Sequence, residues 1–124
     1  MSDQVRVGVI GTSAYADSTH LPNLKSHAGV QIAAICGRNR ARAQEMADKY
    51  AIPMVYTDYR QMLEQGDLDA VVIAATDDLH YPMTMDALDA GLHVLCEKPL
   101  ALSAQQAQAM TEKARTKGVK HMTF

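Results

Sequence analysis

With 124 residues, the chain is sized for one domain that buries roughly two thirds of its unfolded surface. Hydrophobic content of 48% against 21% charged residues is that of a globular protein, and a net charge of -2 excludes the basic balance that draws proteins to nucleic acid or anionic membrane. No apolar run approaches bilayer-spanning length, and Met1-Ser2-Asp3-Gln4 lacks the basic and apolar regions of a secretion signal, so a cytoplasmic protein is expected.

The first predicted element is a buried strand, Val5 to Ile10, that stops at Gly11 and is followed by the small residues Ser13, Ala14 and Ala16. The dinucleotide fingerprint GxGxxG/A needs a tight turn, a close approach of backbone to pyrophosphate, and close helix-on-strand packing at its three positions. Gly11 and Ala16 fit the first and third, whereas Ser13 brings a Cβ and a hydroxyl to the second. The loop Gly11, Thr12, Ser13, Ala14, Tyr15 and Ala16 is therefore a candidate cofactor cradle, with the Thr12 or Ser13 hydroxyl donating to a phosphate oxygen at the following helix N-terminus. A plain strand-to-helix turn is the competing reading. His20, in Thr19-His20-Leu21-Pro22, borders the same region and receives no assigned role.

The second strand, Val30 to Cys36, leads into Gly37-Arg38-Asn39-Arg40. An acid near this strand end would bind adenosine ribose hydroxyls and repel a 2′-phosphate. Here no acid stands there, and Arg38, with Asn39 beside it, offers a planar fork of donors that suits a phosphate, so NADP is favoured over NAD. Arg40 and Arg42 add positive field or form a solvated helix start. Ala43, Met46, Ala47 and Tyr50 recur at i, i+3, i+4 and i+7, one face of a helix. Cys36 and Cys96 lack the CxxC spacing of a metal or redox site, so ordinary reduced core thiols and no metal are expected.

Met54 to Tyr56 is the third predicted strand and Ala70 to Ala75 the fourth. The fourth empties into Thr76-Asp77-Asp78-Leu79-His80, where Asp77 or Asp78 suits a helix N-cap. Ala75, Thr76 and His80 are placed on the ligand edge as candidate cofactor contacts, and Tyr81, Met85 and Leu88 mark the buried face of the next helix. The fifth strand, Leu92 to Cys96, ends in Glu97-Lys98-Pro99. A lysine there can donate to a substrate oxygen while Glu97 holds it or a ribose hydroxyl, which makes Lys98 the candidate catalytic residue. Pro99 fixes the turn and suits a cis bond. An exposed Glu-Lys pair with no chemistry is the alternative. The last helix is framed by Ser103 with Gln106 three residues on, a capping-box pattern, and by Gly118 as its stop. A sixth strand, Val119 to Phe124, closes the chain without a polar tail, from which a longer parent protein is expected.

Strands alternating with helical periods predict an α/β fold, a doubly wound parallel sheet of Rossmann type, which binds ligands outside the carboxyl ends of its strands. Both strand-end features, the glycine turn and the Glu97-Lys98-Pro99 turn, fall on that edge.

Val7-Gly8-Val9-Ile10-Gly11-Thr12, His20-Leu21-Pro22, Asp78-Leu79-His80-Tyr81-Pro82 and Gly91 through Ala101 resemble the Gfo/Idh/MocA oxidoreductases, the family of glucose-fructose oxidoreductase and inositol dehydrogenase. The resemblance covers the whole chain. It implies an NAD(P)-dependent enzyme that moves a hydride between nicotinamide and a hydroxyl- or carbonyl-bearing carbon of a sugar, cyclitol or related small molecule. It further implies that Lys98 contacts substrate and cofactor and that the 74–80 loop lies along the nicotinamide. The sequence departs from the family at Ser13 and at Ala75-Thr76-Asp77, where Thr-Pro-Asn is more usual. Family members continue into a larger α+β domain that shapes the substrate pocket, supplies the proposed acid/base residues and commonly forms a homo-oligomer interface; without it, this half is expected to show little turnover. Two further hypotheses stay open: a non-catalytic sensor that binds a dinucleotide to regulate a partner, and a nucleotide fold whose phosphate loop is disabled by Ser13.

Overall fold

Each apolar run becomes a strand of one parallel sheet. The structure, a computed structural model, describes residues 3–124; Met1 and Ser2, part of the segment read above for a secretion signal, lie outside the described residues. The strands β1 (Val5–Ile10), β2 (Val30–Cys36), β3 (Met54–Tyr56), β4 (Ala70–Ile73), β5 (His93–Cys96) and β6 (His121–Thr123) pair in the order β3-β2-β1-β4-β5-β6. All pairs are parallel. This is the doubly wound order that reverses direction between β1 and β4 and leaves a crevice there.

Helices cover both faces because the strand residues are apolar on both. Val7 and Val9 of β1 pack with Leu21, Met46 and Ala47, so α1 (Leu21–Ser26) and α2 (Arg40–Tyr50) lie on one side. Ile10, Val71 and Ile73 pack with Met62, Met83, Leu88 and Ala114, which puts α3 (Tyr59–Gln65), α4 (His80–Asp89) and α5 (Ala104–Lys117) on the other. The β1–β2 register steps from Val7↔Ile32 to Gly8↔Ala34. That bulge lets Ile32 and Ile35, three residues apart, share the α1/α2 face. No helix among the described residues is long and apolar enough to cross a membrane.

Caps set the helix boundaries. Asn39 Oδ1 accepts from the Arg42 N–H at 3.1 Å to start α2, and Ser103 Oγ accepts from the Gln106 N–H at 3.1 Å to start α5. Gln106 answers by accepting from Leu102 N–H at 3.2 Å, one residue outside the usual reciprocal bond. Gly118, at φ 69°, ends the helix.

Four expectations shift. β5 begins at His93 rather than Leu92, whose N–H closes on the Ala87 carbonyl at 3.1 Å at the end of α4. β4 stops at Ile73 rather than Ala75, because its partner β1 ends opposite at Ile10. β6 begins at His121 rather than Val119, whose N–H closes the end of α5 on the Ala114 carbonyl at 3.1 Å. The buried face of α4 is His80, Met83, Thr84, Ala87 and Leu88, so Tyr81 and Met85 are only half-buried; Leu88 alone of the predicted face is fully inside. Hydropathy gives histidine and threonine no weight as core residues, and here both are.

Candidate cofactor site

The strand ends lie level. Tyr56 pairs with Cys36, Cys36 with Ile10, Ile10 with Ile73, Ile73 with Cys96 and Cys96 with Thr123. The next residue of each strand continues the ladder by one bond: Gly37 N–H to Tyr56 O, Gly11 N–H to Cys36 O, Ala74 N–H to Ile10 O and Glu97 N–H to Ile73 O, all within 2.8–3.0 Å. Past that row the chain turns away from the sheet, and the side chains that follow line one cleft of about 1060 Å³. From end to end it is bordered by Asp58, Arg38, Ser13, Thr76 and Lys98. Arg38 and Lys98 stand three strand intervals apart, about 14 Å at the usual ~4.8 Å spacing.

Gly11 is the residue that lets the rim close. Its φ is +124°, and a Cβ there would lie 2.4 Å from the Ala74 carbonyl oxygen. Only glycine accepts both conditions. Gly37 faces Thr12, whose Cγ2 would lie 2.4 Å from an added Cβ, so Thr12 packs over the end of β2. Ser13 Oγ accepts from the Ala16 N–H at 3.2 Å and so caps the helical turn that begins the next segment. Where the fingerprint has glycine, this chain has an N-cap. That turn widens into a π-helical stretch, Ala16–His20, just before Pro22 near the start of α1. Proline cannot donate to the carbonyl four residues back and its ring crowds it, and the wider turn relieves both.

Of the residues expected at the site, Gly11, Thr12, Ser13, Tyr15, Arg38, Asn39, Ala75, Thr76, Glu97 and Lys98 line the cleft. Arg38 and Lys98 are exposed, and neither side chain has a partner among the described residues. Three expected residues lie outside the lining. Ala14 is exposed beside the turn, Ala16 is fully buried under it, and His80 is turned inward at 1% exposure. His80 Nδ1 is 2.6 Å from Pro99 O and its Nε2 is 3.0 Å from Ala75 O, so the ring sits behind the two loops and not in the cleft. Asp77 and Asp78 are exposed and make no cap hydrogen bond; they stand in the first turn of a short 3-10 segment. The Lys98–Pro99 bond is cis.

Sequence reasoning missed several neighbours. His20, 4% exposed, holds Glu97: Nε2 is 2.7 Å from Oε1. Arg42 neither meets the cleft nor points freely to solvent. Its guanidinium donates to Thr12 O at 3.4 Å and pairs with Asp17 at 3.3 Å. Lys49 at 2.9 Å and the Tyr50 hydroxyl at 2.7 Å complete the ring around Asp17, and these partners hold its carboxyl down to about 2. Thr57, Asp58, Tyr59 and Arg60 border the far end of the cleft. Their signal was available in the sequence: they directly follow the third strand and so fall on the same edge.

Two groups near the cleft are unsuited to acid/base or nucleophilic work. Burial pushes the Cys36 thiol up to about 11, and burial together with the Asp86 carboxylate pushes the Tyr59 phenol up to about 12. Cys96 is likewise raised to about 11 by burial, and both cysteines are free, as expected of core thiols. The ionisable side chain left projecting at the β5 end is Lys98.

Residues 5–124 match the family model GFO_IDH_MocA, described as an oxidoreductase family with an NAD-binding Rossmann fold. The chain belongs to this family. Among curated Gfo/Idh/MocA relatives it is 35% identical over 117 residues to the D-glucoside 3-dehydrogenase of Escherichia coli, covering 94% of this chain and 33% of that protein. It is 38% identical to a D-xylose 1-dehydrogenase (NADP(+)) of Haloferax volcanii, covering 90% of this chain and 34% of the relative. Among solved structures it superposes on a 3-ketoreductase from Actinomadura kijaniata, solved with NADP and TDP-benzene, with TM-score 0.92 and 35% identity over 97% of this chain and 37% of that one. The chain thus spans about a third of the length of these relatives. The match runs over the NAD-binding Rossmann fold by which the family is described.

Proposed function

We propose that this chain holds NADP in preference to NAD, as the cofactor domain of a dehydrogenase or reductase acting on a sugar, cyclitol or related small molecule. One observation carries the reading. The level row of strand ends puts a guanidinium, a glycine turn and an ammonium on one cleft, both cations without a side-chain partner among the described residues. The cleft is at the upper end of the usual range for ligand sites, and its donors are spaced along it rather than clustered.

The residues present fit a nicotinamide dinucleotide. Arg38 would hold the adenosine 2′-phosphate through its fork of donors. In the helical turn after Ser13 the Ala16 N–H is taken by Ser13 Oγ; the Ala14 and Tyr15 N–H groups ahead of it would meet the pyrophosphate, with the Thr12 and Ser13 hydroxyls as further donors. When bound, nicotinamide supplies or takes the hydride. The chain's own part is positioning and proton handling. Glu97, Ala75 and Thr76 border the nicotinamide end, and Lys98 Nζ donates toward the substrate oxygen at which charge develops. Ala16 and His80 contribute from behind the loops, where both are buried, and Ala14 contributes through its backbone N–H.

Substrate recognition, further acid/base residues and a homo-oligomer interface belong to a C-terminal α+β domain in the longer protein, and this unit alone turns over little. The relatives named above act on sugars or a glucoside by name, which supports that substrate class. No nucleic acid or membrane partner and a cytoplasmic location complete the reading. A fluorescence or calorimetric titration of the chain with NADPH tests it: saturable binding is expected, and no binding at millimolar cofactor removes the basis of the proposal.

A further inference from the structure

The Lys98 side chain is exposed and has no partner among the described residues, but the residues on either side of it are not free. Glu97 is anchored three ways. Its N–H donates to Ile73 O at 2.9 Å, its Oε1 faces His20 Nε2 at 2.7 Å, and its Oε2 accepts from the Lys98 N–H at 3.2 Å. On the other side, Pro99 O faces His80 Nδ1 at 2.6 Å. His20 belongs to the π-helical stretch that follows the phosphate loop, and His80 to the first turn of α4 after the β4 loop. Both rings are buried, at 4% and 1% exposure. The Glu97 carboxylate and the Pro99 carbonyl accept, so the facing ring nitrogen is the donor in each contact; His80 has a second carbonyl, Ala75 O, at 3.0 Å from Nε2, and the single proton of its neutral ring is assigned to Nδ1, toward the nearer Pro99 O.

We infer that His20 and His80 are positioning residues for Lys98: one imidazole N–H fixes Glu97, the other fixes Pro99, and the lysine between them is thereby aimed into the cleft. The inference rests on the reading of Lys98 as the residue that meets cofactor and substrate. The brace ties the lysine turn to both segments that a dinucleotide would touch, through His20 to the stretch after the β1 loop and through His80, in the first turn of α4, to the end of the β4 loop. Losing either donor removes a part-buried hydrogen bond from one side of the lysine and frees the turn to shift. Lysine has long stem flexibility of its own, so a fixed backbone at its base is what limits where Nζ can go.

The test follows Lys98 directly. Lysines of the chain are reductively methylated with a carbon-13 label, the Lys98 signal is assigned with Lys98→Arg, and its shift on adding NADPH is read by NMR. In the parent chain the signal moves at saturating NADPH. In His20→Ala and His80→Ala at least half of that movement is lost, while NADPH affinity falls by less than about tenfold. Gln places an amide nitrogen near imidazole Nε2 and Asn places one near Nδ1. His20→Gln and His80→Asn therefore restore the movement, and His20→Asn does not. An unaltered Lys98 response in both folded alanine variants overturns the inference and leaves the reading of Lys98 standing. No response in the parent chain overturns the reading of Lys98, and the inference with it. Should the alanine variants fail to fold, long-range nitrogen-15 spectra of the parent chain decide. Protons on His20 Nε2 and His80 Nδ1 support the brace, and a bare nitrogen at either contact overturns it.

Discussion

At the scale of single residues, Gly11 and Arg38 carry opposite kinds of constraint. Gly11 is fixed by what a side chain would strike: a φ of +124° and a carbonyl oxygen 2.4 Å from any Cβ. Gly11→Ala is expected to cost about 2–3 kcal/mol in urea unfolding, the upper part of the range for a residue forced into a sparsely populated conformation. The Arg38 side chain is exposed and has no partner among the described residues. Arg38→Asp is expected to lower NADP affinity by about tenfold or more relative to NAD, from the loss of a charge-assisted contact and the repulsion that replaces it. Paired titrations with the two cofactors check this, and an unchanged ratio removes Arg38 from the site. The cysteines give a third residue-scale test. With both thiols buried and raised to about 11, neither should react with a thiol reagent at neutral pH until the chain unfolds.

At the scale of elements, the phosphate loop is held from behind by α2. Arg42 reaches the Thr12 carbonyl while Lys49, Tyr50 and Arg42 close around Asp17, which lies on the π-helical stretch. Because the Asp17 carboxyl is lowered from 3.8 to about 2 on folding, its contribution to stability is present above pH 3.8 and is lost as pH falls from there toward about 2. Asp17→Asn should therefore flatten that part of the acid-unfolding curve, and an unchanged curve would show that the ring around Asp17 does not stabilise the fold. Strand cores were legible from their apolar runs, and Gly11, Arg38 and Lys98 were legible because strand ends are where such sheets bind. What sequence did not reveal has a common cause. His20 meets Glu97 across 77 residues and His80 meets Pro99 across 19, so their partners exist only once the sheet has formed. His80 reads in the sequence as a cofactor contact because its place on the edge is visible there and its inward turn is not. The buried face of α4 is hidden for the same reason, since it includes that ring and Thr84.

At the scale of the molecule, the topology makes the site. β1 lies between β2 and β4 in the strand order, so the second and fifth strand ends are carried to either side of the glycine turn and end level with it. Two exposed cations, Arg38 and Lys98, thus reach one cleft from positions 60 residues apart in the chain, and under the proposed function they would meet the adenosine and nicotinamide ends of the cofactor. The dimensions of the cleft follow from strand spacing rather than from loop detail, which is why a serine in place of the second fingerprint glycine is accommodated: its hydroxyl turns back to cap the helix.

A crystal structure of this chain grown with NADP tests that claim most directly. The account predicts one dinucleotide lying across the strand ends, its 2′-phosphate hydrogen-bonded to Arg38 and its nicotinamide beside Lys98. A dinucleotide that meets only one of the two, or that lies at the opposite edge of the sheet, would contradict it.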